Sequence, residues 1–326
     1  MEEYKYSQKK VNQILQTEID NISKTSNVKD MLEYAISGGK RIRPVIALTV
    51  SEYLCISKDK NYYEKISTII TFLEFLHSAS LILDDLPCMD NDELRRGHPT
   101  FHKMYGQKMS YVIANFMIGK SCSKVVKLVN KLENISEFVI TQIFDNNFLT
   151  SLGQIKDLDK DDSRESYFMN KITDKVMKNE HIQKLITKVD LSFNQFEKVF
   201  WLNMKTFPLF YLSFLLPYLI IDNSNENSEA KTSTINIIEY ISLCFSIMFQ
   251  ISDDLEDWEK DSSLDKVNSH LKIIPKEQVI PLYYVCRDSF IQGLNIFNKE
   301  MSSNKVFHFF VEILDKKIDV YLNGTN

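Results

Sequence analysis

Glycine and arginine are both scarce in this chain of 326 residues. It contains 8 Gly, and only six of its 39 Lys and Arg residues are Arg. Glycine inside a helix costs about 1 kcal/mol against alanine, so a low glycine content favours helices. Together with the lack of strand-like alternation, it predicts an all-α protein. Four of the six arginines fall in the segments 38–44 and 95–96. Arginine therefore marks places where side-chain geometry matters, and lysine supplies most other positive charge.

Other shortages exclude some classes of function. A net charge of −5 and a pI near 5.8 argue against nucleic acid as a partner. The apolar run 206–221 contains two prolines and is shorter than the ~20 residues of a spanning helix, so we expect a core helix and not an integral membrane protein. The five cysteines are scattered without metal-type spacing, as in reduced intracellular proteins. The N-terminal residues show no secretory signal or transit peptide, and we expect the cytoplasm or a plastid-type organelle.

Two acidic clusters carry the main chemical signal. Asp-Asp-Leu-Pro-Cys-Met-Asp at 84–90 and Asp-Asp-Leu-Glu-Asp at 253–257 each follow a stretch that is apolar nearly all round, as buried helices are. Carboxylates crowded at such a place repel one another. A divalent cation offsets the repulsion, and an all-oxygen site suits Mg²⁺. The clusters predict a polyanionic substrate clamped through metal ions, and Arg95 with Arg96 can bind its phosphate oxygens.

These motifs resemble those of the trans-isoprenyl diphosphate synthases. The resemblance is closest to the geranylgeranyl diphosphate synthase type, whose first acidic motif carries two extra residues. The matching segments, in family order, are Gly-Gly-Lys-Arg-Ile-Arg-Pro at 38–44, His77, the acidic and arginine string at 84–97, Pro-Thr-Phe-His-Lys at 99–103, Gly-Gln-Ile-Lys-Asp-Leu at 153–158, Lys205-Thr206, and Phe-Gln-Ile-Ser-Asp-Asp-Leu-Glu-Asp at 249–257.

The resemblance implies a reaction and a role for each matching residue. Isopentenyl diphosphate would be condensed with an allylic diphosphate, with Mg²⁺ as cofactor (three ions per site) and geranylgeranyl diphosphate as product. The implied metal ligands are Asp84, Asp85, Asp90, Asp253 and Asp257. The residues implied in substrate binding are Lys40, Arg43, His77, Arg95, Arg96 and Lys266. Those implied in catalysis are Lys205, which neutralises the departing diphosphate, and Thr206 and Gln250, which lie near the reacting carbons.

The resemblance also implies the architecture. We expect the isoprenoid synthase fold, a bundle of long helices around a central cavity, as one domain over residues 1–326 that forms a homodimer. Apolar segments predict core helices at 66–83, 109–129, 206–221 and 236–252. The stretch between the Gly-Gln and Lys-Thr motifs is longer and richer in lysine than in the family, which predicts an insertion around 159–190.

Product length is predicted from two small residues. In the family the residues one helical turn before the first acidic motif limit chain growth, and here they are Ala79 and Ser80. Neither would block a C15 chain, so we expect a C20 product, with C15 next and longer products as a further alternative.

Other functions stay open. Segments 112–116 and 258–270 depart from the family pattern and lack its glycines, which leaves room for a weakly active or inactive paralogue acting as a subunit or scaffold. The retention of both acidic and both arginine motifs argues against that reading. A terpene cyclase is disfavoured, because its second metal site usually mixes Asn, Ser and Glu.

Overall fold

The protein is almost entirely α-helical where the structure describes it. The computed structural model describes residues 1–22, 26–55, 61–132, 136–158, 172–174, 176–221, 228–260 and 273–324. Contacts between Cα atoms divide the chain into two compact units, residues 1–143 with 216–223 and residues 144–215 with 224–326. The predicted all-α class is confirmed, and the single domain stays a prediction.

The first unit is built around one buried helix. Its helices are α1 (Glu2–Ile22), α2 (Ser26–Ile36), α3 (Ile42–Leu54), α4 (Tyr62–Asp84), α5 (Phe101–Tyr105) and α6 (Gln107–Val129). α4 packs against α1, α2, α3 and α6, and every one of its residues from 65 to 76 is buried. A helix enclosed on all sides must be apolar nearly all round, which is the pattern that preceded the first acidic cluster. The cluster therefore begins where α4 leaves the core.

The second unit has an aromatic core. Its helices are α8 (Glu180–Lys188), α9 (Phe193–Leu202), α11 (Ser228–Lys260), α12 (Lys276–Phe297) and α13 (Lys305–Gly324), while α7 (Ser136–Leu158) and α10 (Phe207–Ile221) have residues in both units. Phe210 and Phe214 of α10 contact Phe245, Phe290 and Phe307 with ring centroids 4.9–6.4 Å apart. Each aromatic pair adds about 0.5–1.5 kcal/mol beyond the area it buries.

The predicted core helices are confirmed. The segments 66–83, 109–129, 206–221 and 236–252 coincide with α4, α6, α10 and α11. The predicted insertion lies partly outside the described residues, which omit 159–171 and 175. Its described end is docked in the second unit, since Asn179 caps α8 and donates to the carboxylate of Glu239 on α11 at 2.8 Å.

Some helices are long and apolar enough to cross a membrane by length and composition alone. Among the residues that the structure describes these are Tyr62–Asp84 and Glu229–Glu256, and the bent pair Phe193–Lys205 with Phe207–Ile221 would be a third if it formed one span. The apolar windows of the first two are 78% and 67% buried inside the protein. Packing within the protein thus accounts for much of their apolar surface.

Candidate active site

The Gly-Gly-Lys-Arg-Ile-Arg-Pro motif forms the turn that enters α3. Gly38 has φ 68° and Arg41 has φ 60°, and a non-glycine residue rarely adopts such a left-handed conformation unless its surroundings hold it there. Here the Arg41 guanidinium is buried and donates to Glu74 Oε1 at 2.5 Å. Lys40 is exposed, at the N-terminus of a helix whose dipole favours anions.

Arg43 and His77 meet beside this turn. Arg43 is 9% exposed, and its Nη1 donates to His77 Nε2 at 3.4 Å. Burial lowers the pKa of His77 well below its ordinary value, and the neighbouring guanidinium of Arg43 lowers it further. His77 is therefore neutral near pH 7 and accepts a hydrogen bond at Nε2. The structure brings together these two predicted substrate-binding residues, which are 34 positions apart in sequence.

The first acidic motif is a tight turn at the end of α4. Asp84 is the last residue of the helix, and the backbone N–H of Asp90 donates to the carbonyl of Asp84 at 2.9 Å. The two extra residues of the motif therefore lie within a loop that returns Asp90 to the helix end. Asp85 is 3% exposed and forms a salt bridge with Arg95, whose Nε donates to Asp85 Oδ1 at 2.6 Å.

A hairpin with two-residue strands positions Arg95 and Arg96. Strands β1 (Leu94–Arg95) and β2 (His98–Pro99) pair in antiparallel register, an element that the sequence did not predict. Arg96 and Gly97 connect them with φ 55° and 79°, the conformation of a type I′ turn, which favours glycine. The hairpin is fixed by the hydroxyl of Tyr34, which donates to the carbonyl of Pro99 at 2.7 Å.

The two arginines turn to different neighbours. Arg95 faces Asp85 and also contacts Asp92 at 3.4 Å. Arg96 instead donates from Nη1 to the carbonyl of Ser37 at 3.0 Å, next to the Gly-Gly-Lys-Arg turn. Between them lies a cleft, partly open to solvent, whose lining includes Tyr34, Ser37, Ser78, Asp85, Arg95 and Arg96. The cleft thus has one cation beside the acidic motif and another beside the glycine turn.

The donor chemistry of the first motif fits Mg²⁺. Within the described parts of the chain, no group of three His, Cys, Asp or Glu side chains is already gathered as a metal site. Mg²⁺ does not require such a cage, because it keeps several waters and is usually held by one or two carboxylates plus substrate phosphates. Asp84 and Asp90, which the backbone hydrogen bond brings together at the two ends of the turn, carry carboxylates that would suit such a site.

In the second unit, Lys205 is positioned by two neighbours. Lys205 Nζ donates to Asp157 Oδ2 at 2.7 Å, which links the Lys-Thr motif to the last residues of α7. A Cβ added to Gly153 would lie against the backbone N of Lys205 and 2.5 Å from the carbonyl carbon of Met204. The glycine of the Gly-Gln motif therefore permits the close backbone approach that sets the position of Lys205.

Thr206 and Gln250 are hydrogen-bonded to each other. Thr206 Oγ1 donates to Gln250 Oε1 at 3.2 Å, and Gln250 Nε2 donates to Asp254 Oδ1 at 3.1 Å. The amide of Gln250 is thereby oriented between a hydroxyl and a carboxylate. The two residues predicted near the reacting carbons lie together, although they are 44 positions apart in sequence.

The second acidic motif lies within α11 and is contacted by a lysine of the last helix. Lys317 Nζ of α13 is 2.6 Å from Asp253 Oδ1 and 2.8 Å from Glu256 Oε2. Burial alone would lower the pKa of Lys317, but the two carboxylates outweigh it and raise the pKa. Lys317 is thus a fixed positive charge on a predicted metal ligand. No pattern in the sequence indicates this pair, whose members are 64 positions apart.

Some predictions cannot be placed, and some contacts were not predicted. The side chain of Asp257 and all of Lys266 lie outside the described residues. The contacts of Asp157 with Lys205 and of Glu74 with Arg41 were not predicted from the sequence. Asp157 belongs to the Gly-Gln motif at 153–158, so that motif could have suggested a partner for Lys205. Nothing in the local sequence indicates that Glu74 binds Arg41.

Comparison with known proteins identifies a matching family and several relatives. The pattern of the family described as polyprenyl synthetase matches residues 25–269. A farnesyl diphosphate synthase of Buchnera aphidicola subsp. Acyrthosiphon pisum is 27% identical over 262 residues, covering 79% of this chain and 78% of that protein. A geranylgeranyl diphosphate synthase of Pantoea ananas is 26% identical over 243 residues, covering 74% of this chain and 69% of that protein.

Solved structures share the fold. A geranyltranstransferase from Thermotoga maritima superposes with a TM-score of 0.66 at 20% identity, covering 97% of this chain and 99% of that one. A geranyltransferase from Helicobacter pylori, complexed with magnesium and isoprenyl diphosphate, gives a TM-score of 0.62 at 22% identity, covering 100% of this chain and 97% of that one. The isoprenoid synthase fold expected from the sequence is confirmed.

Proposed function

Because the chain belongs to the polyprenyl synthetase family, we propose that it is a prenyl diphosphate synthase, a transferase that condenses isopentenyl diphosphate with an allylic diphosphate. The relatives aligned over most of their length are named farnesyl and geranylgeranyl diphosphate synthase, which supports a short-chain product. The observation that carries the proposal is the division of cations around the cleft, with Arg95 at the acidic motif and Arg96 at the glycine turn. Such a division suits two diphosphates with separate requirements.

Isopentenyl diphosphate is assigned to the glycine turn. This substrate carries no metal in the family, so its diphosphate needs direct contacts with cations. Lys40, Arg43 and Arg96 supply them, and the planar fork of arginine matches phosphate oxygens. His77, kept neutral by burial and by Arg43, orients that guanidinium.

The allylic diphosphate is assigned to the two acidic motifs. Asp84, Asp85 and Asp90, with Asp253 and Asp257, would hold Mg²⁺, and we propose three ions per site. When bound between these carboxylates, Mg²⁺ would supply Lewis-acid neutralisation of the leaving diphosphate. A geranyltransferase of the same fold is described as complexed with magnesium and isoprenyl diphosphate, which supports this choice of cation.

The reaction proceeds by ionisation, condensation and elimination. Arg95 and Lys205 are proposed to stabilise the departing diphosphate, because nearby positive charge favours oxygens that become more negative as the C–O bond breaks. The allylic carbocation is then attacked by the double bond of isopentenyl diphosphate, and loss of a proton to the released diphosphate completes the extension. The oxygens of Thr206 and Gln250, fixed by their mutual hydrogen bond, stabilise the cation.

The product is proposed to be geranylgeranyl diphosphate. Ala79 is fully buried and Ser80 is half-buried, so the face of α4 below Asp84 carries small residues. A growing chain that passed Ala79 and Ser80 would not be blocked by a bulky side chain at these two positions. Lys266 is proposed to add charge at the diphosphate.

The setting of the enzyme follows the family. We propose a homodimer that binds small diphosphates, binds no nucleic acid and is not integral to a membrane, working in the cytoplasm or a plastid-type organelle. An acidic net charge of −5 supports the exclusion of nucleic acid.

One incubation tests the activity. Labelled isopentenyl diphosphate, Mg²⁺ and primers of increasing length are combined with the protein, and the products are separated by chromatography. We expect extension that ends at C20. No extended product from any primer would refute the synthase and favour a scaffold paralogue.

Two arginine variants then test the assignment of the sites. Arg43→Lys keeps the charge but loses the fork, and should raise KM for isopentenyl diphosphate by about tenfold while KM for the primer stays near wild type. Arg95→Lys should show the opposite bias. Equal effects of both variants on both substrates would contradict the assignment.

A further inference from the structure

The N-terminal helix carries a polar stripe that contacts the glycine turn. Tyr4, Gln8 and Asn12 are spaced four residues apart on α1 and therefore share one face. The adjacent face, including Val11 and Leu15, is fully buried in the first unit. α1 is thus anchored by its apolar face, and its polar edge is held at a fixed place.

Each residue of the stripe binds a different part of the turn. The Tyr4 hydroxyl donates to the carbonyl of Lys40, and Gln8 Nε2 donates to the same carbonyl at 3.2 Å and to the carbonyl of Gly39 at 3.4 Å. Asn12 Oδ1 accepts from Arg41 Nε at 2.9 Å. Three successive residues of the turn are therefore held by one helix.

The turn needs these contacts because its own backbone does not supply hydrogen-bond donors for the carbonyls of Gly39 and Lys40. With Gly38 and Arg41 in the left-handed region, the carbonyls of Gly39 and Lys40 do not join the backbone ladder of a helix. Arg41 uses its remaining nitrogens on Glu74 and on the carbonyl of Ile36, which ties the turn to α4 and α2. Burial raises the pKa of Tyr4 to about 12, so its hydroxyl remains a donor.

We infer that α1 sets the affinity for isopentenyl diphosphate, with Tyr4, Gln8 and Asn12 as positioning residues that hold the backbone from which Lys40 and Arg43 project. The inference rests on the proposed function for the identity of the ligand. The stripe, which ends at Asn12, lies outside residues 25–269, the part of the chain that matches the family pattern. The stripe touches no substrate itself. It acts by removing the need to order the turn when the diphosphate binds.

Binding measurements on the full chain test the inference. Affinity for isopentenyl diphosphate is measured by calorimetry for the wild type, Gln8→Ala and Asn12→Leu, followed by KM for each substrate. We expect the Kd and KM for isopentenyl diphosphate to rise by about three- to tenfold in each variant, while kcat and KM for the primer stay within about twofold. Asn12→Asp keeps an acceptor for Arg41 and should restore the affinity.

A matched control lies on the same helix. Gln13 is exposed, so Gln13→Ala makes the same chemical change as Gln8→Ala without touching the turn and should bind isopentenyl diphosphate as the wild type does. A rise in KM for both substrates, or an equal rise in the Gln13 control, would mean a general structural effect and overturn the inference. Unchanged affinity in Gln8→Ala and Asn12→Leu would overturn it as well. Failure of the wild type to bind isopentenyl diphosphate would instead overturn the proposed function, and the inference with it.

Discussion

Replacing Gly153 by alanine should displace Lys205. The added Cβ would lie against the backbone N of Lys205, 2.5 Å from the Met204 carbonyl carbon and 3.0 Å from Lys205 Cα. All three atoms belong to the backbone, so no side chain can rotate away to make room. Either α7 or the 203–205 turn must move, and Lys205 moves with them.

A second glycine provides the reference. Gly119 lies inside α6, and apart from its chain neighbours and the adjacent backbone of its own helix no atom lies within 4 Å of the Cβ that alanine would add there. Gly119→Ala should therefore stabilise the protein by about 0.5–1 kcal/mol, because alanine is the better helix former. Gly153→Ala receives the same helical gain but also overpacks, at a cost of about 1–3 kcal/mol. The difference between the two variants isolates the steric cost, since the helical gain is common to both.

Thermal unfolding and kinetics measure the two consequences. We expect the Tm of Gly153→Ala to lie a few degrees below that of Gly119→Ala. A catalytic group misplaced by about 1 Å can cost about 100-fold in rate, so kcat should fall by at least about tenfold in Gly153→Ala and stay near wild type in Gly119→Ala. Equal Tm and equal kcat in the two variants would refute the idea that Gly153 sets the position of Lys205.

Three further predictions concern single side chains. In the folded protein the pKa of His77 lies below its value of about 6.5 in the unfolded chain. As pH drops through about 6.5, His77 is therefore protonated in the unfolded chain but not in the folded protein, and the stability of the wild type falls. His77→Gln should flatten this fall, and parallel Tm curves between about pH 5 and pH 8 would contradict it. Ser80→Phe should shorten the product seen by chromatography. Ser80 is chosen because a phenylalanine at the fully buried Ala79 would overpack the core. An unchanged product length at the wild-type rate would mean that the prenyl chain grows elsewhere. Lys317→Met should lower the Tm of the ligand-free protein, because Asp253 loses the positive charge of Lys317. The same variant should show a larger rise in Tm when Mg²⁺ and pyrophosphate are added. A rise equal to that of the wild type would contradict this prediction.

The sequence by itself determined the helices, the family and most of the candidate residues. The stretch before Asp84 is apolar nearly all round because α4 is enclosed by four other helices. The burial of α4 could therefore be predicted from its own residues. The acidic and arginine motifs are likewise contiguous, so their chemistry could be read without the fold. The hairpin at Arg95 was missed because strands of two residues show no alternation.

Only the tertiary structure decided which side chains hold the functional groups in place. Tyr4 with Lys40, Asp157 with Lys205, and Lys317 with Asp253 join residues 36, 48 and 64 positions apart. Each pair depends on how one helix packs against another element, and the periodicity of a sequence reports which face of a helix is buried but not which neighbour covers it. The charges were therefore predictable as residues, whereas their pairing required the packed helices.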